Sequence, residues 1–392
     1  MLDEGQVERY KDELIQIRRL FHRYPELANE ETKTAEYVEE YLKNCGLKVV
    51  TGLAGTGLIG ILKGSDGPTI AFRTDMDALP IEEENDVSYH SLHPNIMHAC
   101  GHDGHLAVTL VTAKILSTMK DKIKGNVIFI FQPAEEDLPE GGAKRLIEDG
   151  KKILSSVDAI FGFHFWPSLP TGVVAASDEA MMAAGDIFEV YFSGKGSHGA
   201  NPHESSDVLM MVCDAVLSLT GITLREIEPG IQATVSVGAI KGGESANVLP
   251  SNAFIKGTTR YVHDFLKKKF PETIERVLEG ICKSYNGGFK MDYQYGYPIL
   301  KNNPKMAGLV RESAKSVRSV SKVIHDPNPA LACEDFARFL EKIPGSYFWV
   351  GTQNSNDGIE NHLHSPRFDL DESALVIAVE VYLSICSKFI LE

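Results

Sequence analysis

The spacing of hydrophobic positions along the chain changes twice. Val7, Tyr10, Leu14, Ile17 and Phe21 recur at helical intervals until Pro25 stops the pattern, which predicts a first helix. A second helix is expected from roughly Thr34 to Cys45, ending at Gly46 as a C-cap. Four short runs then become almost wholly apolar: Gly57 to Leu62, Thr69 to Phe72, Asn126 to Phe131 and Ala159 to Phe163. Between the second and third, Leu106 to Met119 is apolar nearly all round and reads as a buried helix. Continuous apolar strands are those covered on both sides. The alternation therefore predicts an α/β fold with a mostly parallel sheet and helices on both faces.

Three of these runs lead into ionisable side chains. Phe72 is followed by Arg73-Thr-Asp-Met-Asp77, Phe131 by the Glu135-Glu136 pair, and Phe163 by His164. Open α/β sheets bind ligands at the carboxyl ends of their strands. From about Gly185 the pattern alternates instead. Strands near 187–192, 233–237, 253–261 and 290–295, with helices near 206–219 and 265–285, give the order β-α-β-β-α-β. That order predicts an α+β four-stranded antiparallel, ferredoxin-like sheet. The last hundred residues return to the first grammar, with an apolar strand at 345–350 and a closing helix at 372–391. The expected division is a discontinuous catalytic domain of residues 1–184 and 297–392, with 185–296 inserted.

The bulk properties narrow the class. A chain of 392 residues, 43% hydrophobic and 24% charged, is expected to be globular with two domains. No apolar run reaches the ~20 residues of a membrane helix, and the charged N-terminus carries no apolar leader. Six scattered cysteines form no disulfide framework, which points to the reducing cytoplasm. A formal charge of −15 argues against nucleic acid and anionic membranes as partners.

The candidate chemistry is concentrated in Met97-His-Ala-Cys-Gly-His-Asp-Gly-His105 and Gln132-Pro-Ala-Glu-Glu136. Charged groups resist burial unless they are paired or bind metal. Thiol, imidazole and carboxylate together form the donor mix of a zinc-type hydrolytic centre. Cys100 alone suits a buried apolar position. Placed as Cys100-Gly-His102 at the mouth of a helix, it converges with His102, and the helix N-terminus is expected to favour its thiolate. Glu135 and Glu136 at a strand end divide naturally into general base and metal ligand. His164 and His364, in an apolar strand and a late loop, are further imidazoles in places that suit function.

These segments resemble the co-catalytic dizinc aminoacylases and metallocarboxypeptidases of peptidase family M twenty. The similarity is greatest to the amidohydrolase branch, with hippurate hydrolases, indole-acetyl-amino-acid hydrolases and archaeal thermostable carboxypeptidases. It spans nearly the whole chain through His22-Arg-Tyr-Pro-Glu26, Arg73 to Pro80, Met97 to His105, Phe131 to Glu136, Gly194 to His198 with Pro202-His203, Asn247 to Pro250, Glu334-Asp-Phe336 and Leu363 to Pro366. Cys333 stands where relatives carry a small residue.

The resemblance implies two divalent ions, zinc first, with manganese, cobalt or nickel as alternatives, held by Cys100, His102, Glu136, His164 and His364. The expected arrangement has Cys100 bridging, His102 and His164 on one ion, and Glu136 and His364 on the other. Asp75 resembles an acid that orients a ligand imidazole; Asp103 does similar work or caps its own helix. The inserted domain is expected to serve as a dimerisation and lid domain, which implies a homodimer, with a higher homo-oligomer as the alternative. There His198 resembles the histidine that reaches across the dimer to hold the oxyanion. Asn247 and Arg260 resemble substrate-binding residues, with an ordinary ion pair as the alternative for Arg260. The implied reaction is cleavage of the amide in an N-acyl amino acid, or at the C-terminus of a short peptide, by a hydroxide generated at the ions, with Glu135 as base. The rivals are a thiol hydrolase built on Cys100 and a non-catalytic binding protein on the same fold.

Overall fold

The computed structural model describes residues 5–391. The strands used below are β1 (Lys48–Leu53), β2 (Gly57–Lys63), β3 (Ser65–Asp75), β4 (Lys124–Gln132), β5 (Ala159–Pro170), β6 (Val173–Ala176), β7 (Ala184–Ser193), β8 (Ala233–Gly242), β9 (Asn252–Tyr261), β10 (Gly288–Tyr297), β11 (Lys322–His325) and β12 (Gly345–Gln353). The principal helices are α1 (Lys11–Arg23), α2 (Thr32–Asn44), α3 (His102–Ser117), α4 (Val208–Thr220), α5 (Leu266–Ser284), α6 (Pro304–Lys315) and α7 (Ser373–Phe389).

The chain forms two compact units. One runs up to Met181 and takes back Leu300–Asn328 and the chain from Asp335; the other is Met182–Ile299 with Pro329–Glu334. The first unit holds an eight-stranded sheet of order β1-β2-β4-β3-β5-β12-β6-β11. Pairing is parallel from β4 through β3 and β5 to β12 and again between β6 and β11, with antiparallel strands at the β1-β2-β4 edge and at β12-β6.

The continuous apolar runs are explained by burial on both sides of the sheet. Val127, Phe129 and Phe131 of β4 pack in one core with Leu106 and Leu110 of α3 and Tyr382 of α7. Ile128 and Ile130 are buried too, and a strand's alternation places them on the opposite face. The helix expected from Leu106 begins earlier, at His102, so that the helix itself carries one of the candidate ligands.

One expectation about strand ends is corrected. β5 does not stop at His164 but continues to Pro170, because β12 goes on pairing with it past Trp349↔His164. On its other side β5 leaves β3 after Phe72↔Phe161. His164 therefore lies beyond the last β3 pairing and still at the open rim of the parallel strands.

In the second unit the observed order is β7, α4, β8, β9, α5, β10, as the alternation predicts. Its sheet has the order β8-β9-β7-β10, all antiparallel. Phe188, Val190 and Phe192, every second residue of β7, pack against Met211 and Ala215 of α4 and Phe270, Ile274 and Leu278 of α5.

Candidate metal centre

Cys100 and His102 sit at the start of α3, where Gly101 is the N-cap with φ +84°, a left-handed conformation that glycine adopts without strain. The thiol and the imidazole are consequently folded toward the same point. Cys100 Sγ lies 3.4 Å from His164 Nε2. The potential donor atoms of Cys100, His102 and His164 lie within 4.8 Å of one another, and so do those of Cys100, Glu136 and His364. Cys100 belongs to both groups. His364 has φ +63°, and its backbone N–H is held by the Ala99 carbonyl at 2.8 Å. This brings the late loop to the Cys100 segment, and His364 Nε2 reaches Glu136 Oε1 at 3.2 Å.

The buried imidazoles are oriented by their other nitrogen. His102 Nδ1 donates to the Asp77 carbonyl at 2.9 Å, and His164 Nδ1 to the Phe165 carbonyl at 2.6 Å. With Nδ1 acting as donor, the neutral form of each ring leaves its lone pair on Nε2, the tautomer a metal ligand needs, and at His102 a bound cation would replace the second proton that the surrounding acids favour. His102 Nε2 is buried with no hydrogen-bond partner among the described residues, and Glu136 Oε1, buried too, has only the His364 imidazole beside it. A buried ring nitrogen without a partner, beside a thiol and two carboxylates, suits divalent cations.

The surrounding acids produce strong electrostatics. Burial disfavours a charged His102, but Asp75, Asp77 and Glu136 outweigh it and push the imidazole up to about 10. Burial and the neighbouring Glu136 and Glu135 hold the Cys100 thiol well above its ordinary range. The lowering expected from the helix N-terminus is overridden by desolvation and like charge. His164, buried beside His105 and His102, is held well below the usual histidine range. A buried thiol whose adjacent imidazole resists protonation is a poor nucleophile, which weighs against the thiol-hydrolase alternative.

Asp75 makes its short contact to His105 Nδ1, at 2.7 Å, and lies 3.9 Å from His102 Nδ1. His105 Nε2 in turn accepts the Phe165 N–H at 3.1 Å, so Asp75 supports the β5 segment carrying His164. Arg73, also buried, donates to Asp75 at 2.8 Å and to Asp335 at 2.9 Å. Asp103 caps no helix; its Oδ2 receives Arg18 Nε at 2.9 Å and His22 Nδ1 at 2.7 Å. His98 is buried with neither ring nitrogen hydrogen-bonded among the described residues, and burial lowers it to about 3.

The remaining candidates lie in the second unit. His198 pairs with Val248, and the Gly199 N–H bonds the Asn247 carbonyl at 2.8 Å, which brings His198 and Asn247 together. His198 borders a cleft of about 710 Å³ lined also by Ser197, Glu244 and Val248. His198 Nδ1 accepts the Ala200 N–H at 3.1 Å, so Nε2 carries the proton, the reverse of His102 and His164. Arg260 makes no carboxylate ion pair among the described residues. Its Nη1 meets the Leu331 carbonyl and Cys333 Sγ, each at 3.1 Å, and Nε and Nη2 have no hydrogen-bond partner among the described residues.

Two residues at the centre had no role assigned from sequence. Asp77 accepts the backbone N–H groups of Glu135 and Glu136 at 3.0 and 2.9 Å while its carbonyl orients His102. Its signal was present as the second acid of Asp75-Met-Asp77. Glu31 carried none, since an acid preceding a helix reads as ordinary capping.

Fold and side chains together define a metal-dependent hydrolase of amide bonds. The chain belongs to peptidase family M20/M25/M40, whose sequence profile matches residues 71–388. It is 38% identical over 389 residues to thermostable carboxypeptidase 1 of Saccharolobus solfataricus, covering 98% of each chain. It is 37% identical over 317 residues to the N-acyl-L-amino acid amidohydrolase of Geobacillus stearothermophilus, covering 81% of this chain and 84% of the other. The crystal structure of the YXEP protein of Bacillus subtilis, described as a dinuclear metal-binding peptidase of the M20 family, matches with a TM-score of 0.82 at 32% identity. That match covers 97% of this chain and 98% of the other.

Proposed function

We propose that the chain cleaves the amide bond of N-acyl amino acids or the C-terminal bond of short peptides, using two divalent ions, zinc first. The observation that carries this reading is the sharing of Cys100 between two donor groups, Cys100–His102–His164 and Cys100–Glu136–His364. His102, His164 and His364 each present Nε2 to these groups or to Glu136, and Glu136 adds a carboxylate. Bound there, the ions would polarise the scissile carbonyl and acidify the attacking water.

Glu135 takes the proton of that water on its carboxylate and returns it to the leaving nitrogen. The Nε2–H of His198 donates to the oxygen that gains charge. Arg260, with Nε and Nη2 unengaged, receives the substrate carboxylate beside Asn247. Asp75 and Asp103 hold the protein around the ligands through His105, Arg18 and His22. The first unit is the catalytic domain and the second the dimerisation and lid domain.

Activity on a panel of acetyl-, benzoyl- and longer-chain acyl amino acids and of dipeptides tests the reading. Cleavage of acyl amino acids or peptides with a free carboxylate is expected, abolished by chelation and restored by zinc, manganese, cobalt or nickel. Turnover that survives exhaustive chelation rejects it.

The homodimer is proposed on two features of the second unit. β8 is an edge strand, paired on one side only by β9. Met210 and Leu217, seven residues apart on one face of α4, are 46% and 74% exposed. Light scattering is expected to give twice the chain mass of 43.1 kDa, and Leu217→Glu to lower it toward one. A wild-type monomer with full activity contradicts a His198 contributed across the dimer. All six cysteines are free, which supports a reducing cytoplasm as the working compartment. Among the described residues no helix is long and apolar enough to cross a membrane.

A further inference from the structure

We propose that Glu31 is a positioning residue for the general base, holding Ala134 in the left-handed turn that presents Glu135. This rests on the reading of Glu135 as base given above.

Glu31 occupies the N-cap of α2, where an acidic side chain would ordinarily accept the first helical amides. It makes no such bond. Glu26 does that work instead, accepting the N–H of Lys33 at 3.1 Å and of Thr34 at 2.8 Å. The Glu31 side chain is fully buried and turns away from the helix. Its Oε1 accepts the Ala134 N–H at 2.8 Å, and its Oε2 the Thr56 hydroxyl at 2.7 Å.

Ala134 has φ +54°, a left-handed conformation that is strained for a residue with a Cβ. Such strain persists where surrounding contacts over-determine it, and it gathers at functional sites. Here the contacts are two acids. Glu31 takes the amide of Ala134, and Asp77 takes the next two, those of Glu135 and Glu136. Three successive N–H groups thus converge on a pair of buried carboxylates.

Those carboxylates repel. Burial and the charge of Asp77 raise the Glu31 carboxyl above its usual range. Two like-charged acids in a buried setting are a poor choice for stability alone. They are a good choice for fixing a turn whose next residue must sit within a fraction of an ångström of its target. The turn also places the Glu pair: Glu136 reaches His364, and the buried Glu135 carboxylate lies within 4.8 Å of both His102 and Glu136.

The experiment compares Glu31→Ala, Glu31→Gln and Ala134→Gly, singly and combined, with Glu135→Gln. Glu31→Ala is expected to lower kcat by about 10- to 100-fold, as ångström-scale misplacement of a reacting group does, with KM and metal stoichiometry unchanged. Glu31→Gln still offers an oxygen to the Ala134 N–H and should keep most activity. Ala134→Gly adopts positive φ without strain and should restore part of what Glu31→Ala loses. In a Glu135→Gln background Glu31→Ala should have no further effect on kcat.

Hydrogen exchange of the metal-free protein gives a readout independent of turnover. The Ala134 amide should exchange faster in Glu31→Ala and not in Glu31→Gln. If Glu31→Ala does not fold, Glu31→Asp, one methylene shorter, should show the same kcat and exchange changes in smaller measure. Full activity in Glu31→Ala, loss of metal instead of kcat, or an undiminished effect in Glu135→Gln overturns the proposal. Retained activity in Glu135→Gln itself overturns the base assignment instead, and the exchange difference then still decides whether Glu31 holds the turn.

Discussion

Glu135→Gln is expected to lower kcat by about 100- to 10,000-fold on any accepted substrate with metal content unchanged. The substitution keeps the shape of a side chain that is only 6% exposed and removes its capacity to carry a proton. The backbone amide of residue 135 still meets Asp77 Oδ1 at 3.0 Å, so the turn survives. Glu136 remains beside His364 and Cys100. Elemental analysis with steady-state kinetics separates the two acids: loss of turnover at constant metal content belongs to a base, and loss of both belongs to a ligand. Turnover within a few-fold of wild type would remove Glu135 from proton transfer.

Cys100→Ala has the opposite signature and an effect at least as large. Cys100 is the member common to both donor groups, so its removal takes one donor from each. Metal content is expected to fall from two ions per chain to one or none, with kcat/KM down by roughly 1,000-fold or more, beyond the 10- to 100-fold typical of losing a group that only supports a ligand. The thiol is small and buried against an established helix start, so far-UV circular dichroism should be unchanged. Two ions bound at wild-type affinity in Cys100→Ala would exclude ligation by the thiol. The thiol-hydrolase alternative predicts a different outcome, with lost turnover at unchanged metal content.

Much of this molecule was legible in its hydrophobic spacing. β4 reads as an uninterrupted apolar run because both its faces are covered, and β7 alternates because one face is not. The strands overlooked in the sequence, β1, β6 and β11, are short or half-exposed, and their pairing with distant partners decides their conformation. The structure divides the chain after Met181 and after Ile299, a few residues outside the 185–296 that the change of grammar predicts, and the addition of Pro329–Glu334 to the second unit follows no such change. That segment belongs there through contacts such as Arg260 with Leu331 and Cys333, which local periodicity cannot encode.

At the centre, residue types were readable and their partners were not. Asp75 was legible as an orienting acid, yet its short contact goes to His105, because i and i+3 on α3 place His102 and His105 side by side. The sign of the perturbation at Cys100 was also hidden. A helix start lowers a thiol, but burial and acids from other elements, Glu135 and Glu136 foremost, reverse this. Glu31 was invisible for the same reason, since its bond to Ala134 spans about a hundred positions.

Anomalous diffraction from crystals grown with zinc is the most direct test of the proposed centre. Two peaks about 3.5 Å apart are expected, each within bonding distance of the Cys100 sulfur, one flanked by His102 and His164 and the other by Glu136 and His364. A single peak, or a fully metal-loaded enzyme whose ions lie away from Cys100, would contradict it.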